Sequence, residues 1–542
     1  MPNPVLDLTR ALQERSIDRR RFLQGVLALG VSMPAALALL EACGSGSTQA
    51  TKGTIVVDTG QLASINSLDP DRSGFVIDQF VHLQVYQSLL RFDTQDLTKP
   101  YPSLASSYTR SNDGKTYRFT LQKGAVFSDG TAVTSADVVF SINRNRNLKD
   151  IGQFIPDDMT ATAVDPQTVD VMVQTADISV PWYLAHVDSA ILNSSLVKQH
   201  GGTDGSSPDT ATTWLNQNSV GSGPYIFDSV DQWQQVILKA NSKYWGPGPK
   251  PVYQRVVVRQ TAVATQALDV QKGDAQIALD LTNSQAGGLT GNINVHTGLS
   301  HFILYCGLNR DPAVSTASAN PAFREAVRYG IDYDGFLQIV KPAIRLGGYA
   351  PPSYLGGLPS TAGIKRDVTR AKSVLASSGL SNPTIKLSFP SDNPEGVDFV
   401  TLATKVQSDL KEVGITVQLD GAPISVMAFP YHAGKTAFIL FEDAVDFPDP
   451  VMILDFTPSS HFGARMNWKT GQDTTTDSLV AAAKSAVDPQ QRATAYQTLQ
   501  RDLLDHGYFI PICQPAHTVV AAQSVSNLTV DTFHYVNLAS LT

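Results

Sequence analysis

The 542-residue chain carries 41 Lys and Arg against 49 Asp and Glu, a formal charge of −8, with 42% of its residues hydrophobic and three cysteines. Chains beyond about 250–300 residues divide into domains, so at least two lobes are expected, while three cysteines without a Cys-x-x-Cys pair exclude a disulfide scaffold, a zinc ribbon and thioredoxin-type chemistry. With no Lys/Arg block after residue 21, the surface lacks the cationic stripe that a phosphate backbone requires, and nucleic acid is not an expected partner.

The chain begins with an address. Arg19, Arg20 and Arg21, then Phe22 and Leu23, precede an apolar stretch from Val26 to Leu40, the layout of an export segment. Residues 18–24 resemble the twin-arginine signal, with Arg19 and Arg20 as its pair. Leu40, Glu41, Ala42 and Cys43 resemble a bacterial lipobox, which implies lipidation of Cys43 after cleavage, although Glu41 departs from that pattern. An uncleaved anchor is the alternative, but Gly25, Gly30, Ser32 and Pro34 interrupt a stretch only marginally long enough to span about 30 Å. Residues 1–42 are read as the signal peptide and 43–52 as a Gly/Ser/Thr/Gln tether. The remainder is expected outside the cytoplasmic membrane, in the cell envelope or periplasm, lipid-anchored to that membrane's outer face.

Beyond the tether, period-2 and period-3.6 patterns alternate. Tyr117, Phe119 and Leu121 alternate with Arg118, Thr120 and Gln122, a half-buried strand entered from the Asp113-Gly114 turn. Thr134 with Asp137 forms a weak capping-box pattern ahead of Val138, Val139 and Phe140. Asn320 is a good N-cap, Pro321 suits the first helical position, and Phe323, Ala326, Val327, Gly330 and Ile331 share one stripe. Leu402, Val406, Leu410 and Val413 recur at helical spacing up to Gly414, after which Ile415, Val417 and Leu419 switch to strand spacing. Asp488 and Pro489 open a last helix bearing Tyr496, Leu499 and Leu503, followed by a strand around Phe509 to Ile512. The class is α/β or α+β with mixed sheets, and Gly/Ser/Pro-rich breaks at 200–209, 246–251, 311–321 and 347–363 are candidate connections between lobes.

Ordered motifs narrow this reading. Leu68-Asp69-Pro70, then Val85 to Leu90, Phe92-Asp93, Asp113-Gly114, Phe127 to Thr131 and Asp137-Val138 follow one another; so do Gly221 to Tyr225, Asn241 with Tyr244 to Gly246, Gly273 to Ala275, Phe323 to Val327, Ile331-Asp332, Asp446 to Pro450 and Ile510 to Ile512. Each word is common, but the ordered set resembles the extracellular solute-binding proteins of family 5, the peptide, nickel and opine receptors of ABC importers. The resemblance implies an α/β, two-lobed periplasmic-binding-protein-like fold (type II, cluster C) with an extra domain inserted in the first lobe. Mapped here, the first lobe takes 53–75, 214–305 and 510–542, the inserted domain 76–213, and the second lobe 306–509. Cys306 and Cys513 would then lie near the two crossings between lobes, as separate buried thiols or, alternatively, as a disulfide.

The resemblance also implies a ligand site. In peptide-binding members an aspartate just ahead of an Asp-Pro dipeptide takes the ligand's α-ammonium, and Asp446 matches it within the run Glu442, Asp443, Ala444, Val445, Asp446, Phe447, Pro448, Asp449, Pro450. A carboxylate in a dewatered cleft selects a positive partner. The same Asp446 would equally suit a cap of the following turn, whereas Asp449 is expected to be structural. Glu442 and Asp443 replace the Gly-Trp usual before this aspartate, and the loop Pro390, Ser391, Asp392, Asn393, Pro394 lacks the arginine that dipeptide binders carry there. Longer peptides or cationic ligands are therefore expected over short zwitterions.

Tyr86 and Tyr305 are further ligand candidates among Tyr225, Trp245 and Trp468, with core packing as their alternative. His461 and Arg465 are candidates for the rim. No Gly-x-Ser-x-Gly, His-Glu-x-x-His or P-loop pattern occurs, so a hydrolase is the lesser alternative and no cofactor or metal is expected. A receptor of the same fold for a nickel complex, haem, an opine or another cationic solute is the nearer alternative. The expected partners are a peptide or small cationic ligand, the permease subunits of an ABC transporter and, through Cys43, the membrane; the chain is expected to be a monomer.

Overall fold

The computed structural model describes residues 53–542 apart from 94–95, 151–152, 154, 206, 247, 249, 392–395 and 534–535, and of Ser425 only the backbone. Arg19, Arg20, Cys43, the tether to residue 52 and residues 392–394 of the loop after Phe389 lie outside the described residues. The chain divides into a small unit, Met1–Thr54 with Val252–Gln254, and a large one, Ile55–Pro251 with Arg255–Thr542; everything below concerns the large unit. Among the described residues no helix is long and apolar enough to cross a membrane.

Local signals place most elements. Asn320 accepts hydrogen bonds from the backbone N–H groups of Ala322 and Phe323, and Pro321 opens the helix Pro321–Gly330. Its apolar stripe meets the helix Phe399–Val413 in a core that also holds Leu402, Val406, Leu410, Cys306 and Cys513. That second helix stops at Gly414, whose φ of 102° belongs to the left-handed region. The strand Thr416–Ala422 follows at the end of the sheet order, so Val417 is buried while Leu419 stays 39% exposed, which breaks the expected alternation. Thr134 and Asp137 complete a full capping box for the helix Ser135–Leu148.

Twelve strands form one mixed sheet. Its main path runs Thr416–Ala422, Thr384–Pro390, Phe438–Ala444, Phe302–Leu308, Phe509–Ala522, Ile277–Ala278, Thr54–Thr59, Arg255–Gln260, Gln235–Ala240 and Tyr225–Asp231, while Ile293–Leu299 and Ala343–Arg345 pair with Phe509–Ala522 off that path. Phe509–Ala522 is the axis. Its first residues pair antiparallel with Phe302–Leu308, and residues 516–522 pair with Ile293–Leu299. This strand is 14 residues long, far beyond the expected stretch to Ile512, because all but its last residue are buried and no alternation marks it. Pro511 removes a ladder donor, and the register of Phe302–Leu308 shifts between Leu304 and Tyr305 opposite it.

The cysteines sit on these neighbouring strands, with Cys306 opposite Ile510 and Cys513 opposite Leu304; both are free thiols, buried in the apolar core. Burial pushes both thiols well above their ordinary range, so neither is poised to react. A separate antiparallel sheet of four strands, Ala105–Arg110, Thr116–Leu121, Thr168–Met172 and Thr160–Asp165, packs Tyr117, Phe119, Leu121, Val169 and Val171 with Val138 and Ile142 of the helix Ser135–Leu148. A third core is aromatic, with Tyr305, Tyr349, Phe456, Phe462 and Phe509 in edge and tilted contacts.

Candidate functional site

The strand Phe438–Ala444 delivers the site. Its pleat sends Phe438 and Leu440 into the Cys306 core and Ile439 and Phe441 into the aromatic core, so Glu442 and Asp443 emerge on opposite faces. Beyond Ala444 the chain turns through Val445 to Asp449, then forms the 3-10 helix Pro450–Phe456 and the short helix His461–Arg465. Asp449 caps the 3-10 helix, accepting from the Val451 N–H at 2.9 Å, and receives both Nη atoms of Arg492 at 2.5 and 2.7 Å. The capping role left open for Asp446 belongs to Asp449, and Asp446 is free to face outward.

It faces a cavity of about 1540 Å³. Glu442, Asp443, Asp446, Phe447, Asp455, His461 and Arg465 line one side; Phe75, Val76 and Gln79 from the start of the helix Val76–Val85, the loop at Gln61 to Asn66, and Asp177 and Tyr183 line the others. Phe447 packs its edge against Tyr183 with ring centroids 5.2 Å apart. Phe75 and Phe429 are exposed at the cavity, Phe429 by 76%. Such lining, apolar rings interrupted by a few fixed polar groups, is typical of ligand sites.

The acids are not equivalent. Asp443 Oδ2 accepts from Arg465 Nη1 at 3.1 Å and from the Tyr305 hydroxyl at 3.2 Å, and Tyr305 in turn meets the Tyr431 hydroxyl at 2.7 Å. Burial raises the Asp443 carboxyl and the Arg465 guanidinium pulls it back down. Arg465 also donates from Nη2 to His461 Nε2 at 2.6 Å and lies 4.9 Å from the Tyr431 ring centre and 4.8 Å from that of Phe462. His461 is therefore an acceptor at Nε2; burial first, then Arg465 and His432, lower its pKa to about 4 and keep it neutral.

Asp446 and Asp455, by contrast, have no side-chain hydrogen bond or ion pair among the described residues. Burial, followed by the carboxylates of Asp455, Asp443 and Asp188, holds the Asp446 carboxyl well above its usual range. Burial and Asp443 push Asp455 up to about 7, against the pull of Arg465. Two carboxyl groups here lack internal cations.

Two sequence candidates fall elsewhere. Tyr305 is fully buried behind Asp443 and does not line the cavity; its hydroxyl holds Asp443. Tyr86 is buried at the C-terminal end of the helix Val76–Val85, edge-on to His82 and close against Gly221, where a Cβ would lie 2.6 Å from its ring. It too is absent from the cavity lining, because glycine-permitted packing against residues 221–223 fixes it in the interior. Tyr225 and Trp468 are core residues, and Trp245 packs on the Tyr117 core. His461, exposed, and Arg465, buried, both line the cavity.

Asp455, Gln79, Phe75 and Phe429 line the cavity without a motif to announce them. Asp455 sits nine residues beyond Asp446, where only the 3-10 turn brings it back to the same wall; no signal in the sequence separates it from an ordinary helix-end aspartate.

A sequence model of the family described as bacterial extracellular solute-binding proteins, family 5 middle, matches residues 99–462. The chain is 29% identical over 480 residues to the probable D,D-dipeptide-binding periplasmic protein DdpA of Escherichia coli K12, covering 86% of this chain and 90% of that protein. It is 28% identical over 408 residues to the glutathione-binding protein GsiB of Escherichia coli O1:K1, covering 73% of each. A crystal structure of the dipeptide binding protein from Pseudoalteromonas sp. SM9913 with Met-Leu superposes with a TM-score of 0.77 at 19% identity, covering 90% of this chain and 99% of that one. The two share the two-lobed periplasmic-binding fold.

Proposed function

This chain belongs to the bacterial extracellular solute-binding proteins of family 5, and we propose that it captures peptides in the cavity bordered by Asp446 and hands them to the permease of an ABC importer. Family membership makes it a solute-binding protein rather than an enzyme. The observation that carries the peptide reading is the unpartnered Asp446 on the wall of a cavity of about 1540 Å³. A buried carboxylate without an internal cation is completed by one from outside, and a peptide α-ammonium supplies it. Drug-sized pockets run to about 1,000 Å³, so this volume favours more than a dipeptide. The ligands for which its relatives are named, D,D-dipeptides and glutathione, are of the same chemical kind.

In this reading Asp446 and Phe447 touch the cargo, Asp443 and Glu442 shape the wall, and Tyr305 acts through Asp443. Capture proceeds by closure of a first lobe (53–75, 214–305, 510–542), bearing an inserted domain (76–213), on a second (306–509), with Phe302–Leu308 and Phe509–Ala522 as the connecting strands. Ligand favours the closed form only through contacts on both sides. Export through Arg19 and Arg20 and a lipid on Cys43 would tether the monomeric receptor beside its permease. Mass spectrometry of the mature protein, reading a lipidated N-terminus at Cys43, tests the anchor. Calorimetry with an oligopeptide tests the site: Asp446→Ala lowers affinity by about 3–5 kcal/mol, two to four decades in Kd. An unchanged Kd would return Asp446 to a structural role.

A further inference from the structure

The cavity wall holds more acceptors than one ammonium needs. Of its charged groups, Asp443 is taken by Arg465, Arg492 by Asp449, and Asp280 accepts from the Gly60 N–H and from the amides of Gln61 and Gln266. Asp177 accepts from the Ser179 N–H at 2.8 Å. Lys484 is exposed on the helix Thr474–Ser485. Asp158 accepts from the Gln174 N–H at 3.1 Å, and Glu442 is engaged within the protein. After these Asp446 and Asp455 remain.

A third acceptor is fixed independently. Gln79 is only 3% exposed, and its Nε2 donates to Asp188 Oδ2 at 3.1 Å. The amide cannot be reversed, because an ionised carboxylate offers only acceptors and would repel the amide oxygen. His82 faces Asp188 through Nδ1 at 2.8 Å and the Leu68 carbonyl through Nε2 at 3.2 Å; although burial lowers its imidazole, the Asp188 hydrogen bond and charge raise it, the arrangement of an imidazolium beside a carboxylate. Gln79 Oε1 therefore has no hydrogen-bond partner among the described residues, and Gln79 lines the same cavity as Asp446.

We propose that the cargo carries two cationic nitrogens, one held by Asp446 and Gln79 Oε1 and the second by Asp455, so that the receptor prefers peptides with a basic side chain near a free amino terminus. The inference rests on the peptide reading of this site and adds its second charge requirement. One ammonium has three hydrogens to give, and a carboxylate with one carbonyl oxygen takes up most of them. Asp455 then stays uncompensated unless the cargo brings another cation.

The test uses the intact protein and two probe peptides of matched shape, Ala-Lys-Ala and Ala-norleucine-Ala, in calorimetry. Wild-type protein binds the lysine peptide about ten-fold or more tightly, the scale of one partly buried charged hydrogen bond. In Asp455→Asn that ratio falls to about one. The ratio is the readout, so a variant that merely folds less well does not imitate the result. Equal affinities in the wild type, or a ratio that survives Asp455→Asn, overturn the proposal while leaving the peptide receptor standing. If neither peptide binds, the peptide reading fails, and a thermal-shift comparison of 1,5-diaminopentane with pentylamine decides the inference: preference for the diamine lost in Asp455→Asn supports it, and no preference overturns it.

Discussion

Two regions of the molecule bury aspartates, and they treat them in opposite ways. Around Arg144, fully buried in the helix Ser135–Leu148, three carboxylates meet one guanidinium: Nη1 donates to Asp69 and Asp71 at 2.7 and 2.6 Å, Nη2 to Asp69 and Asp209 at 2.6 and 3.1 Å, and Nε to Asp209 at 2.9 Å. All five donors of the arginine are used. Burial still pushes Asp71 up to about 6 although Arg144 pulls it down, and Asp209 stays below its usual range because the Arg144 hydrogen bond and charge outweigh burial. In the cavity, Asp446 and Asp455 are half-buried and have no such partner among the described residues. A buried acid with its cation inside the protein holds chain segments together; a buried acid without one is waiting for something that arrives.

The largest expected effect attacks the satisfied region. Arg144→Met leaves three carboxylates facing one another in the interior and lowers stability by roughly 3–5 kcal/mol, read as a fall in the melting midpoint. A midpoint within a degree of the parent would erase the distinction drawn between the two regions.

A smaller effect of opposite sign is expected at the unsatisfied one. Asp455 has its folded pKa raised from 3.8 to about 7, so between those values the folded protein binds a proton that the unfolded chain releases. Its contribution to stability is complete below about pH 4 and is lost as pH rises through 7. Asp455→Asn should stabilise the empty receptor at pH 8 by about 1–2 kcal/mol, and the gap between melting midpoints at pH 5 and pH 8 should narrow without closing, since Asp446 titrates in the same sense. Denaturation across that range is the measurement, and an unaltered gap would count Asp455 among the compensated acids. The smallest stability effect is expected at Phe429, 76% exposed on the helix Ile424–His432. Phe429→Ser changes stability by less than about 0.5 kcal/mol, yet weakens calorimetric affinity for an apolar peptide by several-fold, on the order of 1 kcal/mol of lost ring contact. Unchanged affinity would place Phe429 outside the working surface.

Legibility in the sequence followed the range of the forces involved. Asn320, Pro321, Gly414 and the Thr134–Asp137 box act within a few residues, so the helices they bound were readable in advance. The strand Phe509–Ala522 was readable only in part, because a strand covered on both faces has no polar face to give period 2 and its prolines read as breaks. The exposure of Leu419 depended on its strand's place at the sheet edge, a matter of topology. At the site, Glu442 to Phe447 form a contiguous run and were found together; Tyr86 and Tyr305 matched motifs whose purpose is packing.

What the sequence by itself determined is the family, the capped helices, the apolar cores and the candidate aspartate, since each is written in neighbouring residues or in an order of short words. Which carboxylates are neutralised from within was decided only by the tertiary structure. Arg465 lies 22 residues from the acid it satisfies, Arg144 73 to 75 residues from Asp71 and Asp69, and Gln79 109 residues from the Asp188 that aims it. Charge compensation is a property of distance in space, and along the chain nothing marks Asp455 as an acid without an internal cation.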